Sequence, residues 1–167
     1  KLLANERTEK DPIVIAGGPC ATFNPEPLSL FIDAFIIGEG EETINNFLDV
    51  YNDPSNENLS RKELLFKLAQ VPGVYVPCFY DHIYDENNKL SAIKTNNNVP
   101  QKVSRQWIRD LDAYDGKTVI TTENTEFNLF LIETSRGCGR HCRFCMAGYC
   151  FRKPRHRSLD KLLSYLP

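Results

Sequence analysis

Residues 13–19 read Ile13-Val14-Ile15-Ala16-Gly17-Gly18-Pro19, a short apolar run that ends in a glycine turn. Such a run is typical of a buried β-strand followed by a tight turn. The pattern recurs at 34–41, where Ala34-Phe35-Ile36-Ile37 precedes Gly38-Glu39-Gly40-Glu41. A helix should follow, with an apolar face made of Ile44, Phe47, Leu48 and Tyr51. Strands that alternate with glycine turns and a helix predict part of an open α/β sheet, in which ligands bind at the carboxyl ends of strands.

The middle of the chain predicts one more helix and a hairpin. Ser60 and Glu63 have the spacing of a capping box, which begins a helix that Pro72-Gly73 ends. Residues 73–95 then favour β-strands, with a hairpin turn at Asn87-Asn88.

The last part of the chain predicts a single βα unit. Residues 100–126 have the composition of a linker, in which Val119-Ile120 is a candidate short strand. The apolar run 128–133 predicts a strand, and leucines at helical spacing in 158–166 predict a helix. One βα unit cannot bury both of its faces, so we expect the chain to be an internal fragment of a larger protein.

Three cysteines lie within eight residues between that strand and that helix. The loop reads Cys138-Gly139-Arg140-His141-Cys142-Arg143-Phe144-Cys145, a C-x3-C-x2-C pattern. Iron–sulfur cubes and structural zinc sites usually take four ligands from the protein. A site with three thiolates is therefore one ligand short, and a missing ligand leaves one metal position open for chemistry.

The positive charge of the chain is concentrated around these cysteines. Residues 136–157 contain seven lysines and arginines and no acidic residue, although the whole chain has a net charge of −2. An anionic cluster or a carboxylate ligand suits such a segment, whereas a solvated basic loop is the simpler interpretation. The basic run 152–157 could also contact RNA phosphates, but stacking aromatics are few, so nucleic acid is the minority interpretation.

The distribution of the six cysteines argues against a disulfide-stabilised secreted protein. Four cysteines are crowded between 138 and 150, while Cys20 and Cys78 stand alone. Secreted scaffolds space their cysteines through a shorter chain. No apolar run is long enough to cross a membrane. We expect a cytoplasmic protein with no membrane partner.

Three kinds of site are compatible with the cysteine loop. In the first, Cys138, Cys142 and Cys145 bind three irons of a [4Fe–4S] cluster and leave the fourth iron open. In the second, Cys150 closes the cube and makes a non-catalytic electron carrier. In the third, the loop binds zinc in a structural or interaction module, although zinc sites usually have a second C-x2-C pair, which is absent here.

With Phe144 before the third cysteine, the loop has the C-x3-C-x-aromatic-C pattern and resembles the radical SAM superfamily. The resemblance implies that Cys138, Cys142 and Cys145 hold a [4Fe–4S] cluster after the first strand of a partial TIM barrel. It also implies an open iron that binds S-adenosylmethionine and a one-electron cleavage that yields a 5′-deoxyadenosyl radical. Phe144 would then flank the adenine.

Segments outside the loop resemble radical SAM proteins that carry an N-terminal cobalamin-binding domain. The matching stretches are 133–149, 155–158, Gly17-Gly18-Pro19-Cys20, Asn24-Pro25-Glu26-Pro27 and Gly38-Glu39-Gly40-Glu41. The resemblance implies a Rossmann-like domain in which Gly17 and Gly18 lie against the nucleotide tail of cobalamin. Glycine allows such a close approach of backbone to ligand.

The two lines of reasoning give one domain plan. Residues 1–52 are expected to be the C-terminal part of the cobalamin-binding-like domain, 53–126 a linker region with a helix and a β-hairpin, and 127–167 the start of the radical SAM core. The resemblance implies S-adenosylmethionine, a substrate that the sequence does not identify and an electron donor such as flavodoxin or ferredoxin as partners. Residues 1–167 alone are not expected to turn over.

Overall fold

The computed structural model describes residues 1–96, 98–120, 122–124 and 129–166. They divide into two units, residues 1–107 and residues 108–167. Helices and small sheets are mixed along the chain, in agreement with the predicted α/β class. The Rossmann-like and partial TIM-barrel assignments, and the domain boundaries at 52/53 and 126/127, stay predictions.

The larger sheet among the described residues of the first unit has three strands in the order β1-β2-β3. Strands β1 (Ile15–Ala16) and β2 (Ala34–Ile36) are parallel, and β3 (Val74–Tyr75) is antiparallel to β2. The central strand β2 is buried along its whole length, as its apolar sequence predicted. The prediction that strand β1 is buried is wrong. Ile15 is 39% exposed, because β1 forms an edge of this sheet.

Three helices belong to the first unit: α1 (Gly18–Phe23), α2 (Gly40–Tyr51) and α3 (Arg61–Leu68). The prediction of a helix after the second glycine turn is confirmed, but its buried face is different. Thr43 and Phe47 are buried, whereas Leu48 and Tyr51 are exposed. The face of α2 that contacts the core is therefore narrower than the face predicted from its apolar residues. Phe47 packs among residues of the strands and α3.

The predicted capping box at the start of α3 is confirmed. The Ser60 hydroxyl accepts a hydrogen bond from the Glu63 amide, and the Glu63 carboxylate accepts one from the Ser60 amide at 2.8 Å. The Ser60 hydroxyl also donates to the Glu63 carboxylate at 2.6 Å, and this bond, followed by the bond from the Ser60 amide, lowers the pKa of Glu63. Two amides that the first turn leaves without intrahelical partners are satisfied in this way.

The predicted hairpin is also confirmed, as antiparallel strands β4 (Tyr80–Tyr84) and β5 (Leu90–Thr95). Asn88 lies in the turn with a φ of +56°, a conformation that asparagine tolerates better than most residues. Asp85 stabilises the turn, since its carboxylate accepts hydrogen bonds from the amides of Asn87 and Lys89.

A buried carboxylate ties the N-terminal segment of the first unit to helix α3. Asp33 is 4% exposed and accepts hydrogen bonds from Arg7 at 2.8 Å and Arg61 at 2.9 Å. The same oxygen accepts the Val14 amide at 2.7 Å. Arg61 also donates to the backbone carbonyls of Thr8, Asp11 and Pro12. One charged cluster therefore joins three segments that are distant in sequence.

Gly38 packs against backbone where a side chain has no room. Its φ is +111°, and an added Cβ would lie 2.1 Å from the Gln106 carbonyl oxygen. Gly38 and Gln106 form a bridge that also includes a hydrogen bond from the Glu39 amide to the Gln106 carbonyl. The glycine at this position is required by both the conformation and the close approach.

We expect Gly38→Ala to lower the free energy of unfolding of the first unit by about 1–3 kcal/mol from backbone strain alone. Gly40→Ala is the matched control, because Gly40 has open space around its Cα and begins a helix. That variant should change stability by no more than about 0.5 kcal/mol. Urea unfolding followed by far-UV circular dichroism measures both, and equal midpoints would show that Gly38 is not constrained.

The second unit contains two short strands and two short helices among its described residues. Strands β6 (Ser135–Arg136) and β7 (Arg155–His156) pair antiparallel, and helix α4 (Ala147–Cys150) lies between them in sequence. Helix α5 (Leu159–Leu163) follows and is capped by Ser158, whose hydroxyl accepts the Lys161 amide at 3.1 Å. The predicted helix at 158–166 is therefore confirmed, although it is shorter.

Two strand predictions in the second unit are wrong. Of the run 128–133, residue 128 lies outside the described residues, and only Ile132 makes a bridge, antiparallel to Lys117. Val119 and Ile120 form no strand and are 80% and 78% exposed. The run pairs antiparallel with residues 116–118 over 131–133. That pairing is too short for a regular strand, so the single βα unit is not formed as predicted.

No helix in the described part of the chain has the length and apolar character that a membrane span requires.

Candidate metal centre

The cysteine loop, residues 137–154, begins and ends at the paired strands β6 and β7. The Cys138 amide donates to the Phe151 carbonyl at 2.8 Å, which closes the neck of the loop. Gly137 has a φ of +96°, and an added Cβ would lie 2.9 Å from the same carbonyl. The Arg-Gly-Cys sequence thus lets two backbone segments approach at the point where the first cysteine enters the loop.

The three predicted ligands are free thiols on one loop. Cys142 is exposed, while Cys138 and Cys145 are partly exposed. The Arg140 amide donates to the Cys138 sulfur at 3.4 Å, and the Cys145 amide donates to the Cys142 carbonyl at 3.1 Å. Amide donors to cysteine sulfur and a tight turn between paired cysteines are suited to a thiolate ligand loop.

The structure does not gather these thiols into a ligand set. Within residues 1–96, 98–120, 122–124 and 129–166, no group of three or more histidine, cysteine or acidic side chains is placed to hold a metal ion. The donor chemistry still fits an iron–sulfur cluster, because three unpaired thiols share one loop with a closed neck. Binding would have to draw the three sulfurs together.

Two other residues of the loop bear on the competing interpretations. Phe144 is 92% exposed, so its ring is available for the predicted place beside adenine, which stays a prediction. Cys150 is partly exposed on helix α4, and its amide donates to the Met146 carbonyl at 2.9 Å. Cys150 belongs to no metal-ligating group among the described residues, so its predicted use as a fourth ligand is untested.

Helix α4 packs directly on the spacer between the first two cysteines. An added Cβ at Gly148 would lie 2.2 Å from the Arg140 carbonyl oxygen. Arg152 donates to the Gly148 carbonyl at 2.9 Å and lies over the Tyr149 ring at 5.3 Å. His141, inside the spacer, contacts the same ring edge-on at 6.3 Å. The loop is thus ordered by side chains around Tyr149.

A buried arginine that the sequence assigned to the basic surface turns out to be structural. The side chain of Arg157 is 0% exposed and donates to Glu133 at 2.6 Å. Its other terminal nitrogen donates to the carbonyls of Leu111 and Tyr114. Arg157 is therefore not one of the solvent-facing cations around the cysteines, and a buried arginine cannot be told from an exposed one in a run of basic residues.

Glu133 joins this arginine to a second one. Arg136 donates to both carboxylate oxygens of Glu133, at 2.8 Å and 3.0 Å. The bond from Arg136, and then the bond from Arg157, lower the pKa of Glu133 against the opposing effect of its partial burial. The carboxylate is consequently ionised at neutral pH between two guanidinium groups.

The predicted cobalamin residues lie in the first unit, at the carboxyl end of β1. Gly17 caps α1 in an extended conformation, and Gly18 has a φ of +85°. An added Cβ at Gly18 would meet nothing within 4 Å, whereas at Gly17 it would touch Ile36 at 3.7 Å. Both positions are where an open α/β sheet presents ligands, and their contact with cobalamin stays a prediction.

The first unit also has a cleft of about 660 Å³ that sequence reasoning missed. Its lining includes Lys62 of helix α3, Cys78 just before β4 and His82 within β4. Burial raises the pKa of the Cys78 thiol, with Lys62 as the largest opposing influence. Residues so far apart in sequence give no local pattern by which the cleft could be predicted.

Comparison with known proteins supports the resemblance seen in the sequence. Residues 1–77 match the family model described as "Radical SAM proteins, N-terminal". An uncharacterized protein of Methanocaldococcus jannaschii is 31% identical over 157 residues, which are 94% of this chain. The chain spans 28% of the length of that relative. No solved structure matches. The match lies outside the cysteine loop, and it shows that residues 1–77 are similar to the N-terminal part of radical SAM proteins.

Proposed function

We propose that this chain is part of a radical SAM enzyme with a cobalamin-binding type of N-terminal domain. One observation carries the proposal: three free thiols occupy a C-x3-C-x2-C loop in a chain whose residues 1–77 match an N-terminal radical SAM model. The two signals lie in different parts of the chain, and they indicate the same superfamily independently.

Cys138, Cys142 and Cys145 would hold a [4Fe–4S] cluster, and three protein ligands would leave one iron for S-adenosylmethionine. A bound cluster would supply one electron for reductive cleavage of the sulfonium C5′–S bond of S-adenosylmethionine, which gives methionine and a 5′-deoxyadenosyl radical. The exposed ring of Phe144 would flank the adenine. Gly17 and Gly18 would line the nucleotide tail of a bound cobalamin.

The loop around the thiols suits this role in its charge and its backbone. Arg140 and Arg143 lie within the eight-residue cysteine segment, and positive charge there suits the anionic cluster that the segment would hold. The Arg140 amide donates to the Cys138 sulfur, and hydrogen bonds to ligand sulfurs are among the features by which proteins tune iron–sulfur clusters. An electron donor such as flavodoxin or ferredoxin would reduce the cluster, and the substrate is an unidentified organic molecule.

Product formation tests the proposal. The full-length protein, reconstituted anaerobically and reduced with dithionite, should convert S-adenosylmethionine to 5′-deoxyadenosine, which is quantified by mass spectrometry. Cys142→Ala should form none, and residues 1–167 alone should form none because the chain spans a small part of its relative. Full-length protein that binds iron and forms no 5′-deoxyadenosine would favour the electron carrier. Protein that binds zinc and no iron would favour the structural module.

A further inference from the structure

We infer that Glu133 and Arg157 are positioning residues that hold the two ends of the cysteine loop together and so limit how far its three thiols can separate before they bind a cluster. This inference rests on the proposed function, because it assigns a role to residues that touch neither cluster nor substrate. Glu133 lies five residues before Cys138, and Arg157 lies twelve residues after Cys145. Their ion pair at 2.6 Å therefore spans the whole loop.

The pair is reinforced by the backbone on both sides. The Arg157 amide donates to the Thr134 carbonyl at 3.0 Å, directly beside the β6·β7 pairing. Arg136, in β6, holds the other side of the Glu133 carboxylate. Side-chain and main-chain contacts thus join the two ends of the loop at adjacent positions. They limit the distance between the two strands at the neck of the loop.

We call the Glu133–Arg157 ion pair the clamp. Segment 111–116 packs against it and accepts its hydrogen bonds. Arg157 donates to the Tyr114 carbonyl at 2.6 Å as well as to that of Leu111, and the Glu133 amide donates to the Gly116 carbonyl at 2.6 Å. An added Cβ at Gly116 would lie 2.3–2.5 Å from the guanidinium of Arg157. Only glycine leaves room for the arginine there, so segment 111–116 is shaped around this side chain.

The chemistry of the pair explains why arginine is needed. A guanidinium presents several donors in a fixed plane and can bind a carboxylate and two carbonyls at once, which a lysine ammonium on a flexible stem does not reproduce. A charge with no exposed surface is tolerated only where it is paired and hydrogen-bonded. The site therefore keeps its geometry only with both partners present, which makes Arg157→Lys the informative change.

Hydrogen exchange and iron retention in the full-length protein test the clamp. In unreconstituted protein, Arg157→Lys should speed exchange of the Cys138 and Cys145 amides by about tenfold or more, because the loop opens more often. After reconstitution, the variant should lose iron to a chelator about tenfold faster, and the shape of its EPR signal should change. Arg61→Lys is the matched control, since it alters an arginine of similar burial that pairs with Asp33 in the first unit.

Each result decides a separate point. Unchanged loop exchange together with unchanged iron loss in folded Arg157→Lys would overturn the inference, as would an equal effect of Arg61→Lys on loop exchange. If Arg157→Lys does not fold, Glu133→Gln replaces it under the same criteria, because it keeps the shape and removes the charge. Wild-type protein that takes up no iron would contradict the proposed function, while the exchange data would still decide whether the clamp orders the loop.

Discussion

Cys142→Ala is expected to abolish iron uptake, while Cys150→Ala is expected to leave it unchanged. Cys142 is the exposed central thiol of the C-x3-C-x2-C loop, and its loss leaves two thiolates, too few to hold a cube. Cys150 is a matched control, because it is also a free thiol of this loop. It lies on helix α4, which packs against the spacer between Cys138 and Cys142. The cluster content of the two variants is compared by measuring iron and acid-labile sulfide per folded chain. The sulfide-to-iron charge-transfer absorbance provides a second measure of the cluster.

The opposite pattern would contradict the account in a specific way. Loss of the cluster in Cys150→Ala would mean that the fourth iron has a protein ligand, and the electron-carrier interpretation would replace the catalytic one. Retention of a full cluster in Cys142→Ala would remove Cys142 from the ligand set. Similar folding of the three proteins by circular dichroism is the necessary control for either conclusion.

Asp33→Ala is expected to have the largest effect on the stability of the first unit. The substitution removes the one carboxylate that both Arg7 and Arg61 contact, and their side chains are 4% and 9% exposed. Two buried cations then lack a counter-charge, and breaking such a buried pair typically costs about 3–5 kcal/mol. Urea unfolding of the full-length protein, monitored by exchange of first-unit amides, measures the loss.

An exposed ion pair provides the control for this substitution. Lys1 contacts Asp11 at 3.3 Å, and the lysine side chain is 44% exposed, so solvent screens the interaction. Lys1→Ala should leave the unfolding midpoint of the first unit unchanged. If Asp33→Ala were no more destabilising than Lys1→Ala, the buried cluster would not be what ties the N-terminal segment to α3.

The features predicted correctly from the sequence depend on residues close together in the chain. The capping box of Ser60 and Glu63 and the turn at Asn87-Asn88 are local hydrogen-bonding patterns, and both are found as predicted. Helix α2 also begins where the apolar run and the glycine turn before it predicted a helix. Such signals depend little on the rest of the fold.

The features that the sequence did not predict depend on tertiary contacts. Periodicity placed Phe47, Leu48 and Tyr51 of α2 on the inward face, but of these three only Phe47 is buried, and Thr43 is buried with it. The apolar run 128–133 predicted a strand, yet its antiparallel pairing is too short for a regular strand. Arg157 and Glu133 are 24 residues apart and gave no local signal of their ion pair.

In the candidate site too, the sequence indicates what is local in the chain and leaves out what depends on tertiary contacts. Spacing and the family resemblance together predict Cys138, Cys142 and Cys145 as a ligand set, because a ligand loop concentrates its donors in a short stretch. The contacts that order the loop, from Gly148 against Arg140 to Arg152 over Tyr149, depend on packing between its halves. Candidate ligands can thus be named from sequence, and their ligation stays a prediction, whereas the contacts that support the loop require the structure.

EPR spectroscopy of the reduced, reconstituted full-length protein tests the central claim most directly. If Cys138, Cys142 and Cys145 leave one iron open, addition of S-adenosylmethionine should change the g-values of the reduced [4Fe–4S] signal, because the cosubstrate becomes a ligand of the cluster. S-adenosylhomocysteine, which lacks the sulfonium charge, is the comparison ligand. A [4Fe–4S] signal that is identical with and without S-adenosylmethionine would contradict the claim that this three-cysteine loop forms a radical SAM site.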